Sequence, residues 1–97
     1  MMVIWKYELE ITDNQKLYVG DKNAKVLSVS LQNGKLMIWV QLDRNCAIVG
    51  NNYLDINIIG TGNPFDADII GDFVGTAVMP NGFVWHVFAK TKSERER

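Results

Sequence analysis

The pair Asn33-Gly34, set between two apolar-rich runs in Lys25–Leu42, constrains this chain more than any other stretch. Both central residues of a two-residue reversal must accept a positive φ, and asparagine followed by glycine does so at least cost. Such a turn pairs Gln32 with Lys35 and fixes the register outward. One face of the ribbon then carries Leu31/Leu36, Val29/Ile38 and Leu27/Val40. The other carries Ser30/Met37, Ser28/Trp39 and Val26/Gln41. One wholly apolar face and one mixed face mark a sheet with a single side on a core. A one-residue slip would turn the apolar set outward, so the register is firmly specified.

The same period of two runs through the rest of the chain. Val3–Ile11 places Val3, Trp5, Tyr7, Leu9 and Ile11 on one side, with Lys6, Glu8 and Glu10 on the other. Lys16–Val19 reads as a brief strand between the turn residues Thr12-Asp13-Asn14 and Gly20-Asp21-Lys22-Asn23. Asp43–Asn52 reads as a polar loop, and Tyr53–Ile59 as the next strand. Gly60–Gly71 is the longest irregular stretch. Phe73–Met79 and Phe83–Ala89 form a second ribbon around Pro80-Asn81-Gly82. With Asn81-Gly82 as a two-residue turn, Val78 faces Trp85, Ala77 faces His86 and Gly75 faces Phe88. Phe83–Ala89 is apolar at both parities, which predicts burial on both faces, centrally in the fold or against another subunit. The pattern predicts one all-β domain over Val3–Ala89, a small antiparallel sandwich or open barrel of about seven strands. Lys90–Arg97, a charge run without apolar partners, predicts a disordered tail.

Bulk properties exclude several classes. The 97 residues make one domain with a modest core, and a formal charge of −1 provides no broad basic surface for duplex nucleic acid. Cys46 is the sole cysteine, so an internal disulfide is impossible and a structural zinc site unsupported. MMVIWKYELE becomes charged too early for a signal peptide, and no apolar run approaches the roughly 20 residues of a membrane span. These features predict a soluble protein of a reducing compartment.

Ile4-Trp5-Lys6-Tyr7, Ile11-Thr12-Asp13, Ala24–Val29, Gln32-Asn33-Gly34 and Trp39 form a recurrent pattern with Ile59–Pro64, Gly75-Thr76 and His86-Val87-Phe88. On these residues the chain resembles a family of small uncharacterised bacteriophage and prophage proteins, over nearly its whole length except the tail. The resemblance implies a phage accessory protein acting in a bacterial cytoplasm. Many members of that family carry histidine where this chain has Asn63, so any chemistry of that histidine is lost here.

Four places carry chemical interest. Gly60-Thr61-Gly62-Asn63-Pro64 follows a strand, and successive glycines can turn backbone amides inward as an anion cradle, with the Thr61 hydroxyl as a further donor. A simple glycine bend is the competing explanation, and neither the lysine nor the helix of a P-loop follows. Asp66, Asp68 and Asp72 lack the glycine and glutamate of a calcium loop and read as a solvated segment that blunts an edge. His86, the sole histidine, has no nucleophile or carboxylate assigned to it by spacing, so a catalytic triad is unsupported. Trp39 lies on the mixed face with Ser28, Ser30 and Gln41, an aromatic plate suited to stacking a flat ligand or to a subunit contact. Cys46 reads as a bystander.

One histidine, one cysteine and no clustered acid–base set predict a non-enzymatic protein with no metal and no cofactor. The phage resemblance points to a homo-oligomeric binder that sequesters a small phosphate-bearing ligand, a cyclic nucleotide immune signal. Its expected contacts are Gly60, Thr61, Gly62, Asn63, Trp39 and His86. The alternative is a structural or protein–protein interaction role with no small ligand.

Overall fold

The computed structural model describes residues 1–94. Seven strands and one short helix follow in the order β1 (Met2–Leu9), β2 (Asn14–Gly20), β3 (Lys25–Gln32), β4 (Lys35–Asp43), α1 (Arg44–Val49), β5 (Asn52–Gly60), β6 (Asp72–Val78) and β7 (Val84–Ser93). They build two sheets, β1-β4-β3 and β2-β5-β7-β6, antiparallel at every pairing. The all-β expectation holds, and of its two forms the sandwich is the one adopted. The inner faces meet through Leu36, Ile38, Val40 and Leu42 of β4 and Leu54, Ile56, Ile58 and Val87 of β5 and β7, all buried. Each such side chain contributes about 1.5–3 kcal/mol on burial, and β4, alternating buried and half-buried, is the spine of its sheet. The edge strands β3 and β6 come together along one side of the sandwich.

The first hairpin forms as its turn dictates. Asn33 (φ 54°) and Gly34 (φ 79°) both occupy the left-handed region, and Gln32, Leu31, Ser30, Val29 and Ser28 face Lys35, Leu36, Met37, Ile38 and Trp39. Beyond Ser28 the register departs from strict alternation. Val26 faces Val40 and Lys25 faces Gln41, so a bulge at Leu27 replaces the expected Leu27/Val40 and Val26/Gln41 pairs. The bulge turns Leu27 outward, 40% exposed, and lets Val26 take its place against the core. An extra residue of this kind bends and twists an edge strand, and no alternation pattern announces it.

The second hairpin is offset by one residue from expectation. Met79 N–H donates to Phe83 O (2.7 Å) and Gly82 N–H to Met79 O (2.9 Å), closing a loop of Pro80, Asn81 and Gly82 with Gly82 at φ 93°. Proline's fixed φ suits the first corner of a type I turn, and glycine then supplies the left-handed residue that returns the chain to the ladder. Val78 therefore faces Val84, Ala77 faces Trp85, and Thr76 faces His86. That offset gives His86 a hydroxyl neighbour where the shorter turn would have given it a methyl.

Three further boundaries differ. The expected loop after β4 contains α1, whose N-terminus is capped by the Asp43 carboxylate accepting from Asn45 N–H at 2.9 Å. Six residues are too few to display a helical period. β1 ends at Leu9, leaving Ile11 44% exposed, and its position at a sheet edge leaves Trp5 40% exposed although it points inward. β7 runs on to Ser93, so Lys90–Ser93 belong to the sheet, with Lys92 opposite Tyr53 and Lys90 opposite Asp55. Glu94 N–H bonds Asn51 O, and its carboxylate takes the Tyr18 hydroxyl and lies 3.8 Å from Lys16 Nζ. Charged residues join a strand readily when the face they occupy is solvated. The remainder of the expected tail, residues 95–97, lies outside the described residues.

Candidate functional site

Because β7 is an inner strand of its sheet, both of its faces are furnished by neighbours. Val87 and Ala89 are buried and Trp85 packs against the same core, whereas His86, Phe88, Lys90 and Lys92 occupy the outer face. Cross-strand partners extend that outer face in rows: Ile59–His86–Thr76, Asn14–Asn57–Phe88–Phe73, Lys16–Asp55–Lys90 and Tyr18–Tyr53–Lys92. The expected burial of this strand on both faces is met only in part: Val87 and Ala89 are buried on the inner face, whereas His86 and Phe88 on the outer face are half-buried and Phe83, just before β7, is 61% exposed.

The loop from Thr61 to Gly71 folds back across this face. Gly62 (φ 92°) and the Asn63 N–H to Gly60 O bond (3.0 Å) turn the chain over immediately after β5. The Phe65 ring then settles 5.4 Å from that of Phe88, which also has the Phe73 ring at 5.5 Å. At the far end Ile70 is buried, Lys90 Nζ donates to Ile69 O (2.9 Å) and Asn57 Nδ2 to Ile70 O (3.4 Å). Gly71, at φ 93°, lies so close to β7 that a Cβ would fall 2.9 Å from the Ala89 carbonyl.

Beneath and beside this loop run two adjoining cavities that share Ile59 and Phe65. The first, about 310 Å³, is lined by Gly60, Thr61, Gly62, Asn63, His86 and the three phenylalanines Phe65, Phe73 and Phe88. The second, about 480 Å³, is lined by Asn14, Asp55, Asn57, Asp66, Lys90 and Lys92 together with Ile69 and Ile70. Five of the six expected contact residues therefore converge on one cavity. The sixth, Trp39, does not. It sits on the outer face of the other sheet beside Ile4, Leu27, Ser28 and Ser30, in a shallow hollow of about 320 Å³. Sheets pack about 10 Å apart, and these two faces look in opposite directions, so Trp39 and His86 of one protomer cannot share a small ligand.

His86 is held from both sides. Its Nε2 lies 2.7 Å from Thr61 Oγ1 and its Nδ1 lies 2.9 Å from Thr76 Oγ1. In the neutral ring one nitrogen donates to a threonine oxygen while the other accepts from the second hydroxyl, so the imidazole plane is fixed whichever tautomer is present. Thr61 reaches His86 because it leaves β5 beside Ile59, His86's cross-strand partner; Thr76 reaches it through the offset register of the second hairpin. The glycine loop is a poorer anion cradle than its sequence promised. Thr61 N–H goes to Val84 O (3.4 Å) and Asn63 N–H to Gly60 O, which leaves Gly62 N–H without a partner among the described residues.

The second cavity is built on a network absent from the sequence-level reading. Asp55 accepts from Asn14 Nδ2 at 2.7 Å and pairs with Lys92 Nζ at 3.0 Å. Burial pushes the Asp55 carboxyl up, but the Asn14 amide and the Lys92 ammonium outweigh it and hold the group below its ordinary value. Lys16 Nζ stands 4.9 Å over the Tyr53 ring, whose other neighbour is Tyr18 at 5.4 Å. Lys90 pairs with no carboxylate among the described residues. Continuing the alternation of Phe83–Ala89 to Lys92 is the signal that would have found Phe88, Lys90 and Lys92 on His86's face.

Among the described residues no cluster of histidine, cysteine and carboxylate groups could hold a metal ion, and the Asp66 carboxylate instead caps its own turn by accepting from Asp68 N–H at 2.9 Å. Cys46 is exposed on α1. No helix among the described residues is long and apolar enough to cross a membrane.

No curated protein and no solved structure matches the chain. One family model does, over residues 1–97, and the chain therefore belongs to the family described as a domain of unknown function, DUF7352.

Proposed function

We propose that the chain is a non-enzymatic binding module that takes a small phosphate-bearing ligand with a flat ring on the outer face of its four-stranded sheet. The observation that carries this reading is the open cavity beside the loop where His86, clamped by Thr61 and Thr76, meets the exposed rings of Phe65 and Phe73 packed around Phe88. A concave, largely apolar site with a few fixed polar groups is the usual form of a small-molecule pocket, and this one lies at the lower end of the usual size range. Lys90 of the adjoining cavity, which pairs with no carboxylate among the described residues, supplies a cation that the glycine loop lacks. In the setting that the phage resemblance implies, the ligand is a cyclic nucleotide immune signal, and a homo-oligomer of this chain sequesters it in the host cytoplasm.

A thermal-shift screen of the purified chain against cyclic di- and trinucleotides and ADP-ribose derivatives tests the proposal. A ligand present at 100 times its Kd adds about 2.7 kcal/mol of stability, which raises the Tm of a chain this size by roughly 10–20 °C. A flat response to every nucleotide would overturn it.

A second reading rests on the tip of the β6–β7 hairpin, where Val78 is 64% and Phe83 61% exposed. Side chains of that kind favour a protein contact, and in that case the module acts without a small ligand. Capture of one specific partner that Phe83→Ser abolishes, with no response in the nucleotide screen, would establish this role.

A further inference from the structure

Building on the binding role proposed above, we infer that the ligand is a nucleotide lying along β7, with its base in the phenylalanine cleft beside His86 and its phosphate at Lys90 and Lys92. This orientation is the reverse of the one that the glycine motif suggests. The glycine end has few donors to offer an anion: two of the three amides from Thr61 to Asn63 are bonded to backbone carbonyls, and the Thr61 hydroxyl is engaged by His86. Its walls are aromatic, and Phe65 and Phe73 stand 49% and 60% exposed around Phe88, an amount of bare ring that a stacked base would cover. Both imidazole nitrogens are taken, so the polar edge of the base meets the threonine oxygens at the end of that cleft, whose remaining lone pairs can accept from an exocyclic amine.

The other end carries the cations. Lys90 uses one of its three N–H groups on Ile69 O and has no carboxylate partner among the described residues. Lys92 is paired with Asp55, and the amides of Asn14 and Asn57 lie in the same cavity. Phe88 and Lys90 are two residues apart on one face of a strand, about 7 Å, close to the separation of a base from the phosphorus of its own ribose phosphate. The charge lining the second cavity is balanced, Lys90 and Lys92 against Asp55 and Asp66. Such a site suits a singly charged phosphodiester and disfavours a triphosphate, whose extra charges would meet two carboxylates.

Isothermal titration of the intact chain with cyclic di-AMP and with ATP, for the native sequence and for Lys90→Gln, Lys92→Gln, Phe65→Ser and Trp39→Ala, tests both the orientation and the charge preference. Cyclic di-AMP should bind at least tenfold more tightly than ATP. Lys90→Gln and Phe65→Ser should each weaken cyclic di-AMP at least tenfold, whereas Trp39→Ala should leave it unchanged. Since Lys92→Gln also frees Asp55, its loss should exceed that of Lys90→Gln. Nuclear Overhauser contacts from the adenine protons should fall on Phe65 and Phe88, which supports the assignment even where a variant folds poorly. Binding that survives both lysine variants, contacts from adenine to Trp39, or ATP the tighter ligand would overturn the inference while leaving a ligand-binding role intact. Absence of binding by either probe together with a flat nucleotide screen would remove both.

Discussion

Asp21 is the buried charged residue on which the joint between the two sheets can be tested most sharply. It is 4% exposed, and its two oxygens accept from Asn23 N–H at 2.9 Å and from Asp43 N–H at 2.8 Å. The residue follows β2 of one sheet and anchors the end of β4 in the other, so both bonds hold the turn between sheets. Hydrogen bonds to a charged group contribute about 1.5–3 kcal/mol each. Asn23 is exposed and water can replace its partner, so that bond counts at the low end, whereas the half-buried Asp43 N–H would be stranded. Asp21→Ala should therefore cost about 2–4 kcal/mol, a large share of the 5–15 kcal/mol typical of a domain. In Tm this is a fall of roughly 10–25 °C. Asp21→Asn keeps one acceptor but sets an amide donor against a backbone donor, and it should recover less than half of the loss. Urea unfolding followed by tryptophan fluorescence reads the change as a lower midpoint at constant slope. A loss under about 1 kcal/mol for Asp21→Ala would refute the claim that this carboxylate ties the sheets together.

Two further outcomes are expected. Gly82→Ala meets no atom within 4 Å and should cost only the left-handed backbone strain, about 1–2 kcal/mol, whereas Gly71→Ala at the same φ of 93° also drives a methyl into the Ala89 backbone and should cost at least twice as much by chemical denaturation. Asp55, held below its ordinary value by Asn14 and Lys92 against the pull of burial, contributes stability that is present above the unfolded pKa of 3.8 and is lost as pH falls through the lower folded value. The stability gap between the native chain and Asp55→Asn, measured by urea unfolding across pH 2–6, should therefore be widest near neutrality and close in acid.

What was legible beforehand was whatever depends on neighbours in sequence. The positive φ demanded at Asn33 and Gly34 fixed a register that the structure keeps from Gln32 to Ser28, and alternation alone placed Leu36, Ile38 and Val40 inward and left Trp39 among serines. The same reasoning singled out Gly60–Asn63 and His86, which the fold does bring to one cavity. It failed where a local pattern fits two geometries of similar energy. Pro80-Asn81-Gly82 closes as a three-residue loop, which moves His86 from Ala77 to Thr76, and the bulge at Leu27 displaces two expected pairs without altering composition. The continuation of β7 through Lys90–Ser93 was hidden for a different reason, because its outer face is solvated and carries the charges of a tail.

The order of strands across two sheets, and hence what shares a face, belongs to tertiary structure alone. Trp39 and His86 are both outward-facing residues on well-read strands, yet they lie on opposite sides of the sandwich. Phe65, Asp55 and Lys90 come from a loop, β5 and β7, and their meeting depends on a loop folding back over a sheet. Turn chemistry and alternation act over a few residues and are written in the chain itself. Which sheet a strand joins is settled by the collective burial of apolar surface, a quantity that no short stretch of sequence contains.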